Sequence, residues 1–482
     1  MSEPNPTRPM FVLLASHWIS MLGVTLVTLA GFSWLFVLPA NVRGSVDNPY
    51  IGLLVFVAIP VVFFAGLALI PVGIALSKRR IAAGLAIVDR ATALRRTGIF
   101  FVVMTVVNVI IGSQLSYRAV EHMDTVQFCG QTCHVMKPEF TAHQQPPHQA
   151  VACGSCHIAP GATGWVNAKM AGTHQLISVI LNNYPRPIES ALETNRLVSS
   201  AGTCEQCHAR ERVIGSRLRR ITKFNDDESN ARTETVLMMN VGGDRSGIHG
   251  THLGPGVHIR YAAADKKRQN IPWVEYTNGG VKRAYFAADA KPDAMGTLPV
   301  FEMQCVDCHN RAAHSYELPE RALDRAIANG SIPADLPFIK KTGVELLKAS
   351  YATDDEAAQK IPSGLAAFYQ QRYADVAAKR GGEVQSAGGA LLAIYRRNVF
   401  PDLKVTWGTY PNNLGHMDSP GCFRCHDDSH ATAEKKTITQ DCSACHQALA
   451  VEEASPAILT TLGMAPGIAP DIAKNASKSP EH

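Results

Sequence analysis

No cysteine in this chain stands alone. All twelve fall into six close pairs, Cys129/Cys133, Cys153/Cys156, Cys204/Cys207, Cys305/Cys308, Cys422/Cys425 and Cys442/Cys445. No pair lacks a histidine directly after it: His134, His157, His208, His309, His426 and His446 follow in turn. With 18 histidines in 482 residues, six such neighbours in six pairs exclude coincidence. The missing exceptions also exclude the usual readings of paired cysteines. A zinc knuckle takes its other ligands from a separate loop, a redox pair wants a helix N-terminus behind it, and a chain this long needs no disulfide framework. Covalent c-type haem does need the histidine, because the two thiols form thioethers to the macrocycle and the adjacent imidazole ligates its iron. Six haems are predicted. One motif differs: CGQTCH (129–134) holds three residues between its thiols, so its loop must bulge to reach the same two positions.

The chain also has little hydrophobic periodicity between the motifs, as expected where macrocycles fill the interior, and its net charge of +5 says little once haem propionates are added. Long apolar runs are confined to the first 120 residues: 11–38, 51–76 and 98–115. Each is long enough to cross a bilayer core of ~30 Å, the last with the help of its flanks. No small-residue cleavage site follows the first run, which reads as an uncleaved anchor. The 77–97 loop carries Lys78, Arg79, Arg80, Arg90, Arg95 and Arg96, whereas the loop between runs 1 and 2 has only Arg43. The positive-inside rule therefore predicts a cytoplasmic N-terminus and an outward-facing remainder, on the side where c-type haem is attached. The segment RRIAAGLAIVDRATALRR, with Ile81, Leu85 and Val88 at helical spacing, is read as a helix on the cytoplasmic headgroups or a solvated connector.

The predicted architecture is a three-helix transmembrane anchor (1–118, N-terminus cytoplasmic) followed by a periplasmic multihaem domain, mostly helix and loop with a small β-hairpin region. Residues 119–210 carry haems 1–3. Residues 211–300 form a haem-poor region that supplies distal histidines, with strands at 273–286 joined by a turn at Asn278-Gly279-Gly280. Residues 301–450 carry haems 4–6 around a helical insert, best seen at 354–380 and 390–397. The Ala-, Pro- and Ser-rich 451–482 is read as an unstructured tail.

Six irons have six further axial positions. Distal candidates are His148 and His416, just ahead of the motifs at 153 and 422, His249 and His252 in GIHGTHLGPGVH, His314 in CHNRAAH and His430 in CHDDSH. His314 and His430 are too close to their own motifs to bend back, and each is assigned to a neighbouring haem. For each, the alternative is an ordinary hydrogen-bonded histidine. Met136, two residues after His134, is a thioether candidate for haem 1, where a Met ligand raises the potential. The apolar runs contain a single histidine, His17, so an intramembrane b-type haem is not expected.

The stretch from CGQTCHVMKPEF through HQAVACGSCH to TCEQCH resembles the NapC/NirT family of membrane-anchored multihaem quinol dehydrogenases over about residues 119–210. The resemblance implies quinol oxidation beside haem 1 at the outer membrane surface, with a lysine matching Lys169. It also implies an acidic residue shortly after that lysine. None occurs from 170 to 188, and His174 stands there instead, as a candidate proton acceptor or haem 1 ligand. His122 and Asp124 lie between the last apolar run and the first motif and complete the quinol-site candidates.

The expectation is an inner-membrane hexahaem cytochrome c that oxidises menaquinol or another quinol from the membrane pool and reduces a periplasmic cytochrome or other redox partner. Alternatives are an electron-transfer subunit whose partner handles quinone, or the same wire run toward quinone. A terminal reductase with an open iron is disfavoured, because histidines are plentiful and no motif ends in lysine. No nucleic-acid partner is expected.

Overall fold

The first apolar run folds as α1 (Trp18–Val42) and the second as α2 (Ile59–Ala82). The third forms α3 (Arg90–Met123). This computed structural model describes residues 13–14, 16–42, 58–83, 90–208, 215–243, 245–290 and 296–464. Small residues let α1 and α2 approach closely: a Cβ on Gly23 would lie 2.6 Å from the Gly66 carbonyl oxygen. The outward side chains of α2 and α3, including Phe64, Leu67, Phe101, Val102 and Val109, are exposed and apolar, a pattern suited to lipid and not to water. Among the described residues two helices, Ile59–Ala82 and Leu94–Met123, are long and apolar enough to cross a membrane, and Trp18–Ser33 is a shorter apolar stretch. The basic connector forms no separate headgroup helix where it is described. Lys78–Ala82 completes α2 and Arg90 onward opens α3, while 84–89 lie outside the described residues.

Met1–Met123 is one unit and Asp124–His482 a second. In the second, short helices carry the first motifs: α4 (Val126–Gln131), α5 (Lys137–His143) and α6 (Gly154–His157), followed by the longer α7 (Ala162–Ile180). Strands β1 (Arg217–Phe224) and β2 (Arg232–Met239) then pair antiparallel. Helix α8 (Gly247–Leu253) leads into β3 (Val257–Ala262), β4 (Trp273–Asn278), β5 (Val281–Phe286) and β6 (Val300–Glu302), a sheet of order β5-β4-β3-β6. The β4–β5 hairpin turns at Gly279 and Gly280, both with positive φ, as the Asn-Gly-Gly sequence requires.

After α9 (Cys305–Cys308) comes a helical block without a haem motif: α10 (Pro319–Ala328), α11 (Ile339–Lys348), α12 (Asp354–Arg372) and α13 (Ala374–Asn398). Leu323, Leu336, Ile339, Leu347, Ile361, Leu365, Tyr369 and Leu391 fill its interior, the most extensive apolar cluster among the described residues. Gly388 lets α13 lie against Pro362, where a Cβ would meet the proline Cα at 3.0 Å. The β1–β2 turn is bolted to this block. Asn230 Nδ2 donates to the carbonyls of Ala334 (2.9 Å) and Leu336 (2.8 Å), and Lys340 N donates to Asn230 Oδ1 at 3.0 Å.

The chain ends in α14 (Cys442–Cys445), β7 (His446–Glu453), which adds to β2, and α15 (Ala457–Thr461). This corrects the expectation of an unstructured tail from 451. The β2 edge pairs its strand through Glu453, and α15 buries Leu459 beside Val236 and Ala450. Residues 465–482 lie outside the described residues.

Candidate metal centres

The cysteine pairs sit on tight turns and short helices. The backbone N–H of His157, His208, His309 and His426 donates to the carbonyl of the first cysteine of its motif, at 2.8–3.1 Å. None of the twelve cysteines is disulfide-bonded.

Five of the six motif histidines face a second histidine across a nearly constant gap. Ring centroids are 6.1 Å apart for His157/His314 and His148/His208, 6.2 Å for His249/His309 and His416/His446, and 5.8 Å for His252/His426. Two metal–imidazole bonds of about 2.0 Å, plus about 1.1 Å from each nitrogen to its ring centre, put the centroids about 6.2 Å apart across one iron. The gaps therefore fit an axially coordinated haem. No group of three or more His, Cys, Asp or Glu that would surround a bare ion occurs among the described residues.

The second ring nitrogen of several of these histidines is tied to the backbone, which leaves Nε2 for a metal. His314 Nδ1 donates to Glu139 O at 3.0 Å, His148 Nδ1 to Ala312 O at 3.0 Å, His252 Nδ1 to Ile248 O at 2.7 Å and His426 Nδ1 to Thr439 O at 2.8 Å. Burial holds the rings in the neutral form that ligates metal. It pushes His314 down to about 4 and also lowers His157, His249, His252 and His309.

His430 is a correction. Its ring is buried, and both nitrogens are engaged, Nδ1 with Asp427 Oδ1 at 2.9 Å and Nε2 with Ile271 O at 2.7 Å. No nitrogen is left for iron. The spacing CHDDSH reflects a local turn instead: Asp427 also accepts from the backbone N–H of Ser429 and His430. Burial opposes ionisation of Asp427, yet the hydrogen bonds from His430 and Ser429 outweigh it and hold the carboxyl well below its ordinary range.

His134 is the exception among the motif histidines. Its Nε2 is 3.2 Å from the Tyr184 hydroxyl, which also accepts from Arg186 Nη2 at 2.7 Å. Tyr184, and not His174, therefore stands opposite His134. Met136 lies beside it, packed with Cys133, Val179 and Tyr184 against Val135 and Phe400. Sequence reasoning missed Tyr184, the orienting carbonyl of Glu139 and the buried His143. The last lies 6.0 Å from His314 but spends Nε2 on the Val151 carbonyl at 2.9 Å. None of the three stands at a fixed offset from a motif, so spacing carried no signal for them.

Of the quinol-site candidates, Lys169 and Asp124 come together, with Nζ 3.7 Å from the carboxylate, and Lys169 lies 5.4 Å over the Trp165 ring. Both charges act on Cys129, so the pair sits beside the first motif. His174 does not join them. At about 100° per residue it is turned roughly 140° around α7 from Lys169. His122 belongs to the last turn of α3, in the other unit.

The motifs also adjoin one another in sequence order. Cys129 hydrogen-bonds Cys153, which brings Cys129 down to about 7 and raises Cys153. Cys156 feels the charge of Cys204 and Cys207, and Cys204 hydrogen-bonds Cys305. Cys425 feels Cys308, and Cys445 feels Cys422. Arg424 locks the fourth motif to the fifth, donating to the carbonyls of Asp307 and Arg268 at 2.8 Å each.

Paired thiols with an adjacent imidazole, on a chain with membrane-length apolar helices, define a membrane-anchored electron-transfer cytochrome of the c type. The comparisons place it further. The NapC/NirT cytochrome c family, N-terminal region, matches residues 92–236. The cytochrome c-type protein ImcH of Geobacter sulfurreducens is 37% identical over 444 residues, which cover 89% of this chain and 87% of that protein. The chain belongs to the NapC/NirT cytochrome c family, whose members carry covalently bound haem c. No solved structure matches it.

Proposed function

We propose that this chain is a hexahaem quinol dehydrogenase of the inner membrane, with its haems in the periplasm and wired in sequence order from the quinol to a periplasmic acceptor. The observation that carries this reading is the set of five histidine pairs at iron-bridging separation, joined to motifs whose cysteines adjoin from first to sixth. In this reading His157 and His314 would hold haem 2, His208 and His148 haem 3, His309 and His249 haem 4, His426 and His252 haem 5, and His446 and His416 haem 6. Met136 is the candidate thioether ligand at haem 1.

Bound haem supplies one-electron chemistry. The protein's own residues must bind the quinol, orient it and accept two protons as two electrons leave. Lys169 hydrogen-bonds a quinol oxygen, and Asp124, half exposed and paired with it, takes the two protons one after the other and returns each to water. Asp124 thus fills the place of the acidic residue that is missing between 170 and 188.

The test is stopped-flow reduction of the oxidised, full-length protein by a menaquinol analogue, after a pyridine haemochrome assay has counted the haems. Six haems per chain, and reduction slowed by Lys169→Gln and Asp124→Asn but not by His174→Leu, support the reading. A full haem complement that dithionite reduces and quinol does not would refute the dehydrogenase and favour a wire served by a partner.

A further inference from the structure

Helix α7 carries an apolar face with no partner among the described residues of its own unit. Its packed side is made of small residues: Gly164 is buried, and Ala168, Ala171 and Ser178 are half-buried. At about 100° per residue, Val166, Met170, Thr173, Ile177 and Ile180 fall on the opposite side, and Leu181 continues it. Met170, Ile180 and Leu181 are 68–72% exposed, and Val166 and Ile177 about half. From Val166 to Leu181 this face runs about 22 Å. It is edged by Trp165, Lys169 and Leu176, of which Lys169 lies about 20° around the helix from Ile180 and acts on Cys129.

A stripe this long and apolar is costly in water: five side chains of this size, about half exposed, forgo several kcal/mol of burial. Three observations choose what covers it. Lys169 of α7 pairs with Asp124, the residue that directly follows membrane-length α3 in the sequence. The flanking Trp165 and Lys169 are the residue types that anchor a helix at headgroup level, the indole at the interface and the ammonium snorkelling. The stripe itself bears no charge from 170 to 181. We infer that α7 is an interfacial helix: it lies in the plane of the outer leaflet, with Val166, Met170, Ile177, Ile180 and Leu181 in the headgroup–acyl boundary of a phospholipid bilayer. The inference rests on the membrane location of the chain and is independent of whether the chain oxidises quinol. If both hold, α7 floors the quinol site, with Lys169 at the edge of its lipid face.

The full-length holoprotein is placed in nanodiscs of phosphatidylethanolamine and phosphatidylglycerol that carry a photoactivatable carbene in the acyl tail. After irradiation, lipid adducts are mapped by peptide mass spectrometry. Adducts are expected on α7, at Val166, Met170 and Ile177, as well as on α2 and α3, and not on α12. In an Ile177→Glu/Ile180→Glu variant with an unchanged haem count, α7 labelling is expected to fall about tenfold while α2 and α3 keep theirs. Labelling of α7 only by a water-soluble carbene reagent would overturn the inference. So would α7–α7 crosslinks between chains, which would mark a second copy as the cover. Protection from both reagents would assign the face to the protein's own interior and overturn it too. None of these outcomes depends on quinol turnover.

Discussion

His252 and His430 stand on either side of the fifth motif, and their replacement by alanine separates a ligand from a strut. His252 faces His426 at 5.8 Å with Nδ1 pinned to Ile248 O. His252→Ala removes one axial nitrogen from one of six sites, so about one-sixth of the low-spin haem signal should convert to high spin. Added imidazole should restore it. His430→Ala should leave the spin count untouched. It removes two hydrogen bonds from a buried ring and strands the Ile271 carbonyl and part of the Asp427 carboxylate. An unsatisfied buried acceptor costs about 1–3 kcal/mol, and the lower end applies here because Asp427 is partly exposed. The assay is electron paramagnetic resonance of the oxidised protein, alongside guanidinium unfolding followed by absorbance. High-spin haem in His430→Ala with a normal spectrum in His252→Ala would refute the ligand assignment. A stable His430→Ala protein with an unmoved midpoint would refute the strut.

Arg268 and Asp307 form a buried pair, Nη1 to Oδ1 at 2.8 Å, with Tyr261 donating to the same oxygen and Gln304 N donating to the other at 2.7 Å. Arg268→Leu strands that carboxylate and should cost about 3–5 kcal/mol in denaturant unfolding. Glu234 is nearly inaccessible; burial opposes its ionisation, but bonds from Arg220 (2.8 and 2.9 Å), Arg232 and Thr222 prevail and lower its pKa. Because its folded pKa lies below the unfolded one, its contribution is complete above the ordinary glutamate range near 4.5 and is lost as pH falls through the folded value. Glu234→Gln should therefore flatten the acid limb of stability below about pH 5 and lower stability at pH 7, as read from unfolding midpoints across pH.

Covalent chemistry was the most legible part of the sequence, because thioether attachment fixes residue types at fixed offsets. The β4–β5 hairpin and α12–α13 were legible for a similar reason, since turn residues and helical spacing are local. His148, His314 and His416 were selected by nearness to a motif and His249 and His252 as a cluster in GIHGTHLGPGVH, yet their partners depend on the tertiary path. His314, five residues past His309, faces His157 instead. His430 looked equivalent to His314 in spacing and differs only in what lies across from it, the Ile271 carbonyl on a distant loop. The tail was misread because composition cannot reveal an open strand edge, and β2 had one for β7 to fill.

The helical block α10–α13 closes its interior with aliphatic and aromatic side chains, and no cysteine lies within it. Its order does not wait on cofactor delivery. A newly made chain can bury Leu323, Ile361 and Leu391 while its motifs are still bare thiols, and the Asn230 clasp then sets the β1–β2 hairpin on a finished footing. The segment that carries no electrons thus serves as the scaffold on which the attachment machinery finds the later motifs already spaced.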